Sequence, residues 1–183
     1  MDGRNPIADE AQVGGSTGFV CQAIARKFSE LWFVVQDLPP VIEKAKREAP
    51  KDLDGRVAYM AHDFFQEQPV CDADVYIFRG IMYNWFTKYC LKILRNHIHA
   101  LKPGVKVLVM DIVLPLHGTA SEKEEERVRS MDLVMLELFN SHERELNDWK
   151  ALFDLVDKRF VLRSVTLPEG SNKWLLVFEW NGS

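Results

Sequence analysis

The chain has 183 residues, of which 47% are hydrophobic and 27% are charged, and its formal net charge is −4. This length is enough to bury the core of one domain, and the composition is that of a globular protein in water. The negative charge and the scattered basic residues argue against a nucleic-acid partner, and no apolar run is long enough to span a bilayer.

The three cysteines, Cys21, Cys71 and Cys90, are odd in number and show no metal-ligand spacing. None has an activating partner nearby in sequence, so we expect free thiols that fill the core. Free thiols favour a reducing compartment, and the first residues lack the apolar segment of a secretory signal. The sequence therefore predicts a cytoplasmic protein without a metal site.

Strands and helices are predicted to alternate along most of the chain. Strands are expected at about residues 11–13, 31–37, 56–61, 74–78 and 106–113, and helices at about 19–29, 39–48, 86–101, 129–139 and 146–156. The charged run 121–127 is expected to be a solvated loop or a helix start. Two last strands, 159–166 and 173–180, follow, joined by a hairpin-like connection. This order predicts one α/β domain over residues 1–183, with a doubly wound, mostly parallel sheet and helices on both faces.

A glycine-rich turn, residues 12–18 (QVGGSTG), separates the first short strand from the first helix. Glycines let the backbone turn sharply and approach a ligand closely, and the helix behind them offers free N–H groups. Asp37 ends the next strand, 19 residues after Gly18. A glycine turn after one strand and an acid after the next typically hold a nucleoside, with the carboxylate on the ribose hydroxyls. An ordinary strand-to-helix turn followed by a strand-end acid is the alternative.

Several polar or turn positions are predicted at the carboxyl ends of the strands, where parallel sheets bind their ligands. They are residues 14–18, Asp37, Asp63, Arg79 and Asp111. The glycines are not followed by the Lys-Ser/Thr pair of a phosphate site, which favours a nucleoside without a triphosphate.

A set of segments in chain order resembles the catalytic domain of S-adenosylmethionine-dependent O-methyltransferases. They are residues 13–18 (VGGSTG), 35–39 (VQDLP), 62–65 (HDFF), 74–85, 101–104 (LKPG), 111–115 (DIVLP) and 140–144 (NSHER). The chain is most similar to the fungal secondary-metabolism enzymes of this kind, which resemble plant caffeate and flavonoid O-methyltransferases. The resemblance implies the class I methyltransferase fold, a Rossmann-like sheet whose last strand is antiparallel.

The resemblance also implies roles for individual residues. Gly14, Gly15 and Gly18 would line the methionine part of S-adenosylmethionine or S-adenosylhomocysteine. Asp37 would hold the ribose hydroxyls, and Leu38 would lie beside the adenine. Asp63 would bind the adenine by a hydrogen bond and Phe64 by packing, and Arg79 matches a basic position near the cofactor.

The chain departs from the family pattern at the position of the general base. The family motif after the fourth strand contains His-Asp-Trp or His-Asn-Trp, whereas this chain has Tyr83, Asn84 and Trp85. A phenol of ordinary pKa, about 10, is protonated at neutral pH and is a poor base, although it can donate a hydrogen bond. Asn84 can orient a substrate but cannot take its proton.

The other departures concern Gln12, the two acids and the length of the chain. Gln12 replaces the family's Asp before the glycines. In the family, the acids that match Asp111 and Glu143 flank the base. In this chain they are expected to contact the substrate or Tyr83. The alternative is that Asp111 is an ordinary strand-end acid and that Glu143 pairs with Arg144. His97 and His99 lie on the last turns of a helix and are expected at the surface. The family's N-terminal helical domain, which dimerises and covers the substrate pocket, is not expected in this chain.

The sequence leaves three functions open. One is methylation of a hydroxyl on a small aromatic or polyketide-like molecule, with a weakened base. Another is a pericyclase or cyclase that keeps the cofactor site, since loss of the base permits such chemistry when hydrogen-bond donors polarise the substrate. The third is a non-catalytic partner, either in a homo-oligomer or with a second chain that covers the substrate pocket.

Overall fold

A computed structural model describes residues 9–71, 73–115, 122–139 and 143–182. The strands are β1 (Glu10–Val13), β2 (Phe33–Asp37), β3 (Val57–Ala61), β4 (Val75–Arg79), β5 (Lys106–Asp111), β6 (Val113–Leu114), β7 (Arg144–Glu145), β8 (Phe160–Thr166) and β9 (Trp174–Trp180). The helices are α1 (Phe19–Lys27), α2 (Pro39–Glu48), α3 (Thr87–Arg95), α4 (Glu122–Phe139) and α5 (Leu146–Val156). Single 3₁₀ turns cover Lys51–Leu53, Met82–Asn84 and Ile98–Ala100.

The main sheet has seven strands in the order β3-β2-β1-β4-β5-β9-β8. The first five are parallel, and β9 is antiparallel to both β5 and β8. The predicted fold class, a doubly wound and mostly parallel sheet with an antiparallel last strand, is therefore confirmed. The order reverses direction on either side of β1, which is the point where such sheets bind ligands.

The five parallel strands all end at one edge of the sheet, which we call the carboxyl edge. Along this edge, the order of the strands brings Asp63, Asp37, Gly14, Arg79 and Asp111 into one row. Gly14 and Asp111, which are 97 positions apart in the sequence, therefore lie at the same edge of the sheet. The predicted clustering of these positions is confirmed as a matter of topology.

Apolar side chains from the sheet centre and α5 form the larger core. The central strand β4 is buried on both faces, as a strand covered by helices must be, and Tyr76 and Phe78 are fully inaccessible. Phe153 of α5 stacks on Phe178 of β9, with ring centroids 3.5 Å apart. This packing holds α5 against the antiparallel side of the sheet and thereby positions β7, which immediately precedes α5.

The predicted fifth strand is interrupted. β5 ends at Asp111, and Val113 and Leu114 form β6, which pairs in parallel with Arg144 and Glu145 of β7. This small second sheet brings residues 143–145 next to the end of β5.

Four other expectations were wrong or incomplete. Helix α3 ends at Arg95, earlier than predicted, and His97 is buried with 1% of its surface exposed, so the prediction of a surface position was wrong. Cys21 and Cys90 lie in the core as predicted, but Cys71 is exposed. The charged run is helical from Glu122 onward, whereas Ser121 lies outside the described residues.

Candidate active site

The glycine turn at the end of β1 requires glycine for steric reasons. Gly14 and Gly18 have φ angles of +66° and +79°, in the left-handed region. A Cβ on Gly14 would collide with Ile81, and one on Gly18 would lie 2.8 Å from Val35 Cγ2. The turn therefore brings its backbone close to the neighbouring strands and opens into α1, with Gly18 at the N-cap.

Asp37 is joined directly to this turn. One carboxylate oxygen accepts a hydrogen bond from the Ser16 N–H at 2.8 Å, and the other accepts from the Leu38 N–H at 2.8 Å. The Gly15 N–H also donates to the carbonyl of Gln36 at 2.9 Å. The structure thus brings together the turn and the acid that the sequence paired, with the carboxylate partly exposed at the carboxyl edge.

The segment after β3 forms the next wall of the site. The His62 N–H donates to the Asp37 carbonyl at 2.9 Å, and the Phe65 N–H donates to Asp63 Oδ1 at 2.9 Å. The ring of Phe64 approaches Gly14 and packs edge-on against Trp85, with centroids 6.0 Å apart. Leu38 is 51% exposed, so an apolar side chain stands in water beside Asp37.

A buried polar network anchors this wall to β2 and α3. Gln36 and Gln68 exchange two amide hydrogen bonds, of 2.7 and 2.9 Å, and both side chains are fully buried. The second amide hydrogen of Gln68 points to His97 Nε2 at 3.0 Å, and His97 Nδ1 lies 2.8 Å from the carbonyl of Ile93. Since a carbonyl only accepts, Nδ1 carries the proton and Nε2 accepts from Gln68.

Burial lowers the pKa of His97 to about 4, because the interior disfavours the imidazolium form. The neutral ring matches the hydrogen-bond pattern, since Nε2 can accept only when it is unprotonated. The network therefore depends on a neutral histidine, which the sequence had indicated to be a surface residue.

A His97→Gln variant is expected to lose part of the acid sensitivity of folding. The folded pKa is about 4 against an ordinary value of 6.5, so the unfolded chain binds more protons between these values. Stability from this group is present above pH 6.5 and is lost as the pH falls toward 4, by up to about 3 kcal/mol. Urea unfolding of both chains between pH 4 and 8 measures it: the difference in unfolding free energy should be constant above pH 7 and shrink below. Parallel curves over the whole range would contradict the assignment.

Arg79 ends β4, beside Gly14 on the neighbouring strand. Its guanidinium lies over the ring of Phe19, 5.1 Å from the centroid, and Phe19 itself is 54% exposed. Arg79 therefore spans from the sheet to the first turn of α1, across the mouth of the glycine turn.

A second group of polar residues lies at the end of β5. Asp111 is fully buried, and its oxygens accept from the Tyr83 N–H at 3.3 Å and from Lys173 Nζ at 3.4 Å. Glu143 is 4% exposed, and neither of its carboxylate oxygens has a hydrogen-bond partner among the described residues. Asp37 and Asp111 end strands that are three positions apart in the sheet, or roughly 14 Å at the usual strand spacing.

Burial raises the pKa of both acids. The pKa of Asp111 rises to about 6, with Lys173 opposing the shift. The pKa of Glu143 rises to about 7, first through burial and then through the nearby charge of Asp111. Burial thus favours the protonated form of both acids, a perturbation that is common at functional sites.

Tyr83 and Asn84 lie on the 3₁₀ turn that follows β4. Asn84 Nδ2 donates to the carbonyl of Gly80 at 3.3 Å. The ammonium of Lys173 lies over the Tyr83 ring, 4.7 Å from its centroid. The sequence-predicted group of Tyr83, Asn84, Asp111 and Glu143 is therefore brought to one end of the carboxyl edge.

Arg144 holds this turn in place and was not expected to do so. Its side chain is 1% exposed and donates to the carbonyls of Met82 and Trp85, each at 3.0 Å. It also stacks on the ring of Trp149 at 5.3 Å. The alternative in which Glu143 is paired with Arg144 was wrong, because the guanidinium is directed to backbone carbonyls and Glu143 has no hydrogen-bond partner among the described residues.

Lys173 was also missed by reasoning from the sequence. It immediately precedes β9, and the antiparallel register that pairs Trp174 with Asp111 places Lys173 beside the end of β5. No short motif carries this information, because the two residues are 62 positions apart. The strand register alone could have found it.

Two surface grooves lie elsewhere. One, of about 440 Å³, lies beside the start of β3 and is lined by residues that include Lys46, Arg47 and Tyr59. The other lies at the starts of β2 and β3. Both are at the edge of the sheet opposite to Asp37 and Asp111. Among the described residues, no group of three or more His, Cys, Asp or Glu side chains could hold a metal ion, and no described helix is long and apolar enough to cross a membrane.

The fold and the carboxyl edge define a Rossmann-like α/β protein of the class I methyltransferase type. Residues 5–156 match the model of the O-methyltransferase domain, and the chain belongs to that family. It is 45% identical over 170 residues to the grayanic acid biosynthesis cluster O-methyltransferase of Cladonia grayi. That alignment covers 92% of this chain but 38% of the relative, so the chain spans about two fifths of the length of the curated protein it matches.

Solved structures show the same fold. A pericyclic reaction enzyme superimposes with a TM-score of 0.83 at 24% identity, covering 94% of this chain and 43% of that protein. The complex of LepI with S-adenosylmethionine superimposes with a TM-score of 0.84, with the same identity and coverage. At this level of identity the likeness concerns the fold.

Proposed function

We propose that this chain binds S-adenosylmethionine at the glycine turn and transfers its methyl group to a hydroxyl of a small aromatic or polyketide-like molecule. The observation that carries the proposal is the hydrogen bond between the Asp37 carboxylate and the glycine turn, beside partly exposed apolar residues. This arrangement offers an acceptor for ribose hydroxyls and apolar surface for a base. Family membership and the relative's role in secondary metabolism support the same reading.

The proposed cofactor contacts follow the row along the carboxyl edge. The backbone of Gly14, Gly15 and Gly18 lines the methionine part, and Asp37 receives the ribose hydroxyls. The adenine lies among Leu38, Asp63 and Phe64, and Arg79 closes the site near α1. These residues fit the group, because the Asp37 carboxylate is accessible at the edge beside the backbone of the turn and next to the exposed side chain of Leu38.

The cofactor supplies an activated methyl group, and the protein's own residues position the acceptor and manage its proton. We assign this task to the residues at the end of β5, Tyr83, Asn84, Asp111 and Glu143. Positioning contributes up to about 7–11 kcal/mol in well-oriented reactions, whereas a general base adds about 10²–10⁴-fold. With tyrosine at the position of the family's histidine, positioning carries most of the effect, and acidic phenols or enols are the expected acceptors.

Tyr83→His is expected to raise methyl transfer to weakly acidic phenols by about 10²-fold, since it restores an imidazole beside Asp111. The measurement is methyl transfer from S-adenosylmethionine to a panel of phenols, followed by mass spectrometry, with cofactor affinity determined by isothermal titration. Tyr89→His, on the exposed face of α3, is the matched control and should leave the rate unchanged. Equal rates for Tyr83→His and the parent chain would show that Tyr83 is not a disabled base. Absence of cofactor binding by the parent chain would remove the proposed function.

A second candidate is a pericyclase or cyclase on the same fold. The observation in its favour is the tyrosine at the base position together with the partly exposed Lys173 ammonium and the buried Asp111 beside it, a set that polarises a carbonyl without removing a proton. The fold is shared with a pericyclic reaction enzyme. Binding of the cofactor without methylation of any phenol in the panel would favour this candidate.

A non-catalytic role as a partner subunit is the third candidate. Helix α4 presents Leu133, Val134 and Leu136 with 67%, 41% and 54% of their surfaces exposed, which is apolar surface that another domain or chain would cover. We therefore propose that the site is completed by a second chain or a second copy. The three free thiols fit a reducing, cytoplasmic location.

A further inference from the structure

Two cations lie beside Tyr83, Asp111 and Glu143, and Lys173 is the one that remains available to a substrate. Arg144, the other cation there, donates to the carbonyls of Met82 and Trp85 and is buried against Trp149. Lys173 Nζ has three donor hydrogens and meets Asp111 Oδ1 at 3.4 Å, and its side chain is 21% exposed. It therefore reaches the site while part of its side chain stays exposed to solvent.

The position of Lys173 is set by backbone contacts. The Ser171 hydroxyl accepts from the Lys173 N–H at 3.0 Å and donates to the Lys173 carbonyl at 2.9 Å. The antiparallel register of β9 on β5 then places the side chain beside Asp111. The space in front of Gly80 is shared with Tyr83, since a Cβ there would lie 3.5 Å from Tyr83 Cε1 and 3.7 Å from Lys173 Nζ.

We propose that Lys173 is a catalytic residue that holds the acceptor oxygen of the substrate as an anion, beside Tyr83, where the described residues include no imidazole base. The inference rests on the proposed function and names the chemical class of the acceptor, a phenol or enol that ionises on binding. Neighbouring positive charge favours the ionised form of an acid, commonly by one to three pKa units for close pairs. A positively charged donor aimed at the oxygen thus replaces strong base catalysis by an equilibrium that favours the anion.

The acceptor O–H loses its proton to water, and the anion is held by Lys173. An electron pair on that oxygen forms the bond to the methyl carbon of S-adenosylmethionine. The bond between the methyl carbon and sulfur breaks, and its electrons neutralise the sulfonium, leaving the ether and S-adenosylhomocysteine.

Several charged or titratable groups face the ammonium and modulate this equilibrium. Asp111 from β5 is ion-paired with it, and Tyr83 from the turn after β4 lies beneath it. Glu143 and Arg144 approach from the start of β7. Asp132 from α4 accepts a hydrogen bond from the Glu143 N–H, and its negative charge lies near the Glu143 carboxyl. The acids weaken the field of Lys173 when ionised, so its effect on the acceptor is expected to be largest at the low-pH end of the activity range.

The test uses 4-nitrophenol, whose anion absorbs in the visible, bound to the full chain saturated with S-adenosylhomocysteine. We expect the ionisation midpoint of the bound probe to lie about one pH unit or more below that of the free probe, a tenfold or larger stabilisation of the anion. Lys173→Met should abolish this shift, and Lys173→Arg should retain most of it. Lys106→Met, an exposed lysine at the opposite edge of the same sheet, should behave as the parent chain.

In the methylation assay, Lys173→Met should lower kcat/KM at neutral pH by about 10–100-fold and move the rise of the pH profile toward the pKa of the free phenol. Unchanged affinity for S-adenosylhomocysteine verifies that the variant is folded. Three results would each overturn the proposal. The parent chain could leave the ionisation midpoint of the probe unchanged, the bound probe could show no visible absorbance of its anion, or the parent and Lys173→Met could shift the midpoint equally. If the chain lowers the ionisation midpoint of the probe but methylates no phenol, the anion site is supported and the proposed methyl transfer is wrong. If it methylates phenols equally with and without Lys173, methyl transfer is supported and the proposed role of Lys173 is wrong.

Discussion

Replacement of Arg144 by methionine is expected to lower the free energy of unfolding by about 2–6 kcal/mol, because it removes two hydrogen bonds donated by a buried guanidinium, at about 1–3 kcal/mol each. The carbonyls belong to Met82 and Trp85, and the guanidinium that serves them is 1% exposed. Urea unfolding at pH 7 measures the loss. The apolar side chain of methionine fills part of the space, so the cost comes mainly from the two lost hydrogen bonds, although the Met82 carbonyl keeps the Trp85 N–H as a donor at 3.2 Å.

The matched control is Arg163→Met on β8, whose guanidinium pairs with Glu179 at 2.9 Å but is 47% exposed. An exposed ion pair contributes at most about 1 kcal/mol, so this variant should be nearly as stable as the parent chain. Comparable losses for the two variants would show that burial of Arg144 does not stabilise the turn. The Arg144 variant should also raise the pKa of Glu143 further, since Arg144 opposes the shift caused by burial.

Asp37→Ala is expected to weaken binding of S-adenosylmethionine by about 10- to 160-fold, which corresponds to about 1.5–3 kcal/mol for hydrogen bonds to a charged acceptor. The substitution removes the carboxylate that we assign to the ribose hydroxyls. It also removes the acceptor of the Ser16 N–H at 2.8 Å, so the glycine turn loses one restraint. Isothermal titration with S-adenosylmethionine and with S-adenosylhomocysteine gives the two affinities.

Asp54→Ala serves as the control, because Asp54 is an exposed acid three residues before the start of β3, at the opposite edge of the sheet. Its affinity for the cofactor should match that of the parent chain. Asp37→Asn keeps one acceptor oxygen and the side-chain shape but loses the charge, so an intermediate affinity is expected. If Asp37→Ala binds S-adenosylmethionine as tightly as the parent chain, the assignment of the carboxyl edge to the cofactor is wrong.

The local patterns of the chain were sufficient to predict most of the fold. Apolar runs such as that of β4 indicate strands buried on both faces, and the glycine turn followed by Asp37 indicates a strand–turn–helix unit. Once parallel strands alternate with helices, their ends must meet at one edge, so Gly14, Asp37 and Asp111 were expected together. This inference needed no knowledge of side-chain contacts.

The patterns failed where a residue's environment comes from distant segments. His97 follows a helix end and has the sequence context of a surface residue, yet Gln68 donates to it and the rings of Tyr76 and Phe78 pack against it. Arg144 follows Glu143 and was therefore considered as its ion-pair partner, but the turn after β4 offers carbonyls that bind the guanidinium instead. In each case the deciding partner lies tens of residues away.

The sequence by itself determined the class of fold, the glycine turn, the acid that follows the second strand and the exchange of histidine for Tyr83, because each is encoded in residue types at short spacing. Only the tertiary structure decided which charges surround Tyr83. The register of β9 on β5 brings in Lys173, and the pairing of β6 with β7 brings in Glu143 and Arg144. Strand register depends on the packing of the whole sheet, and for that reason the charge balance of the site cannot be read from any single segment.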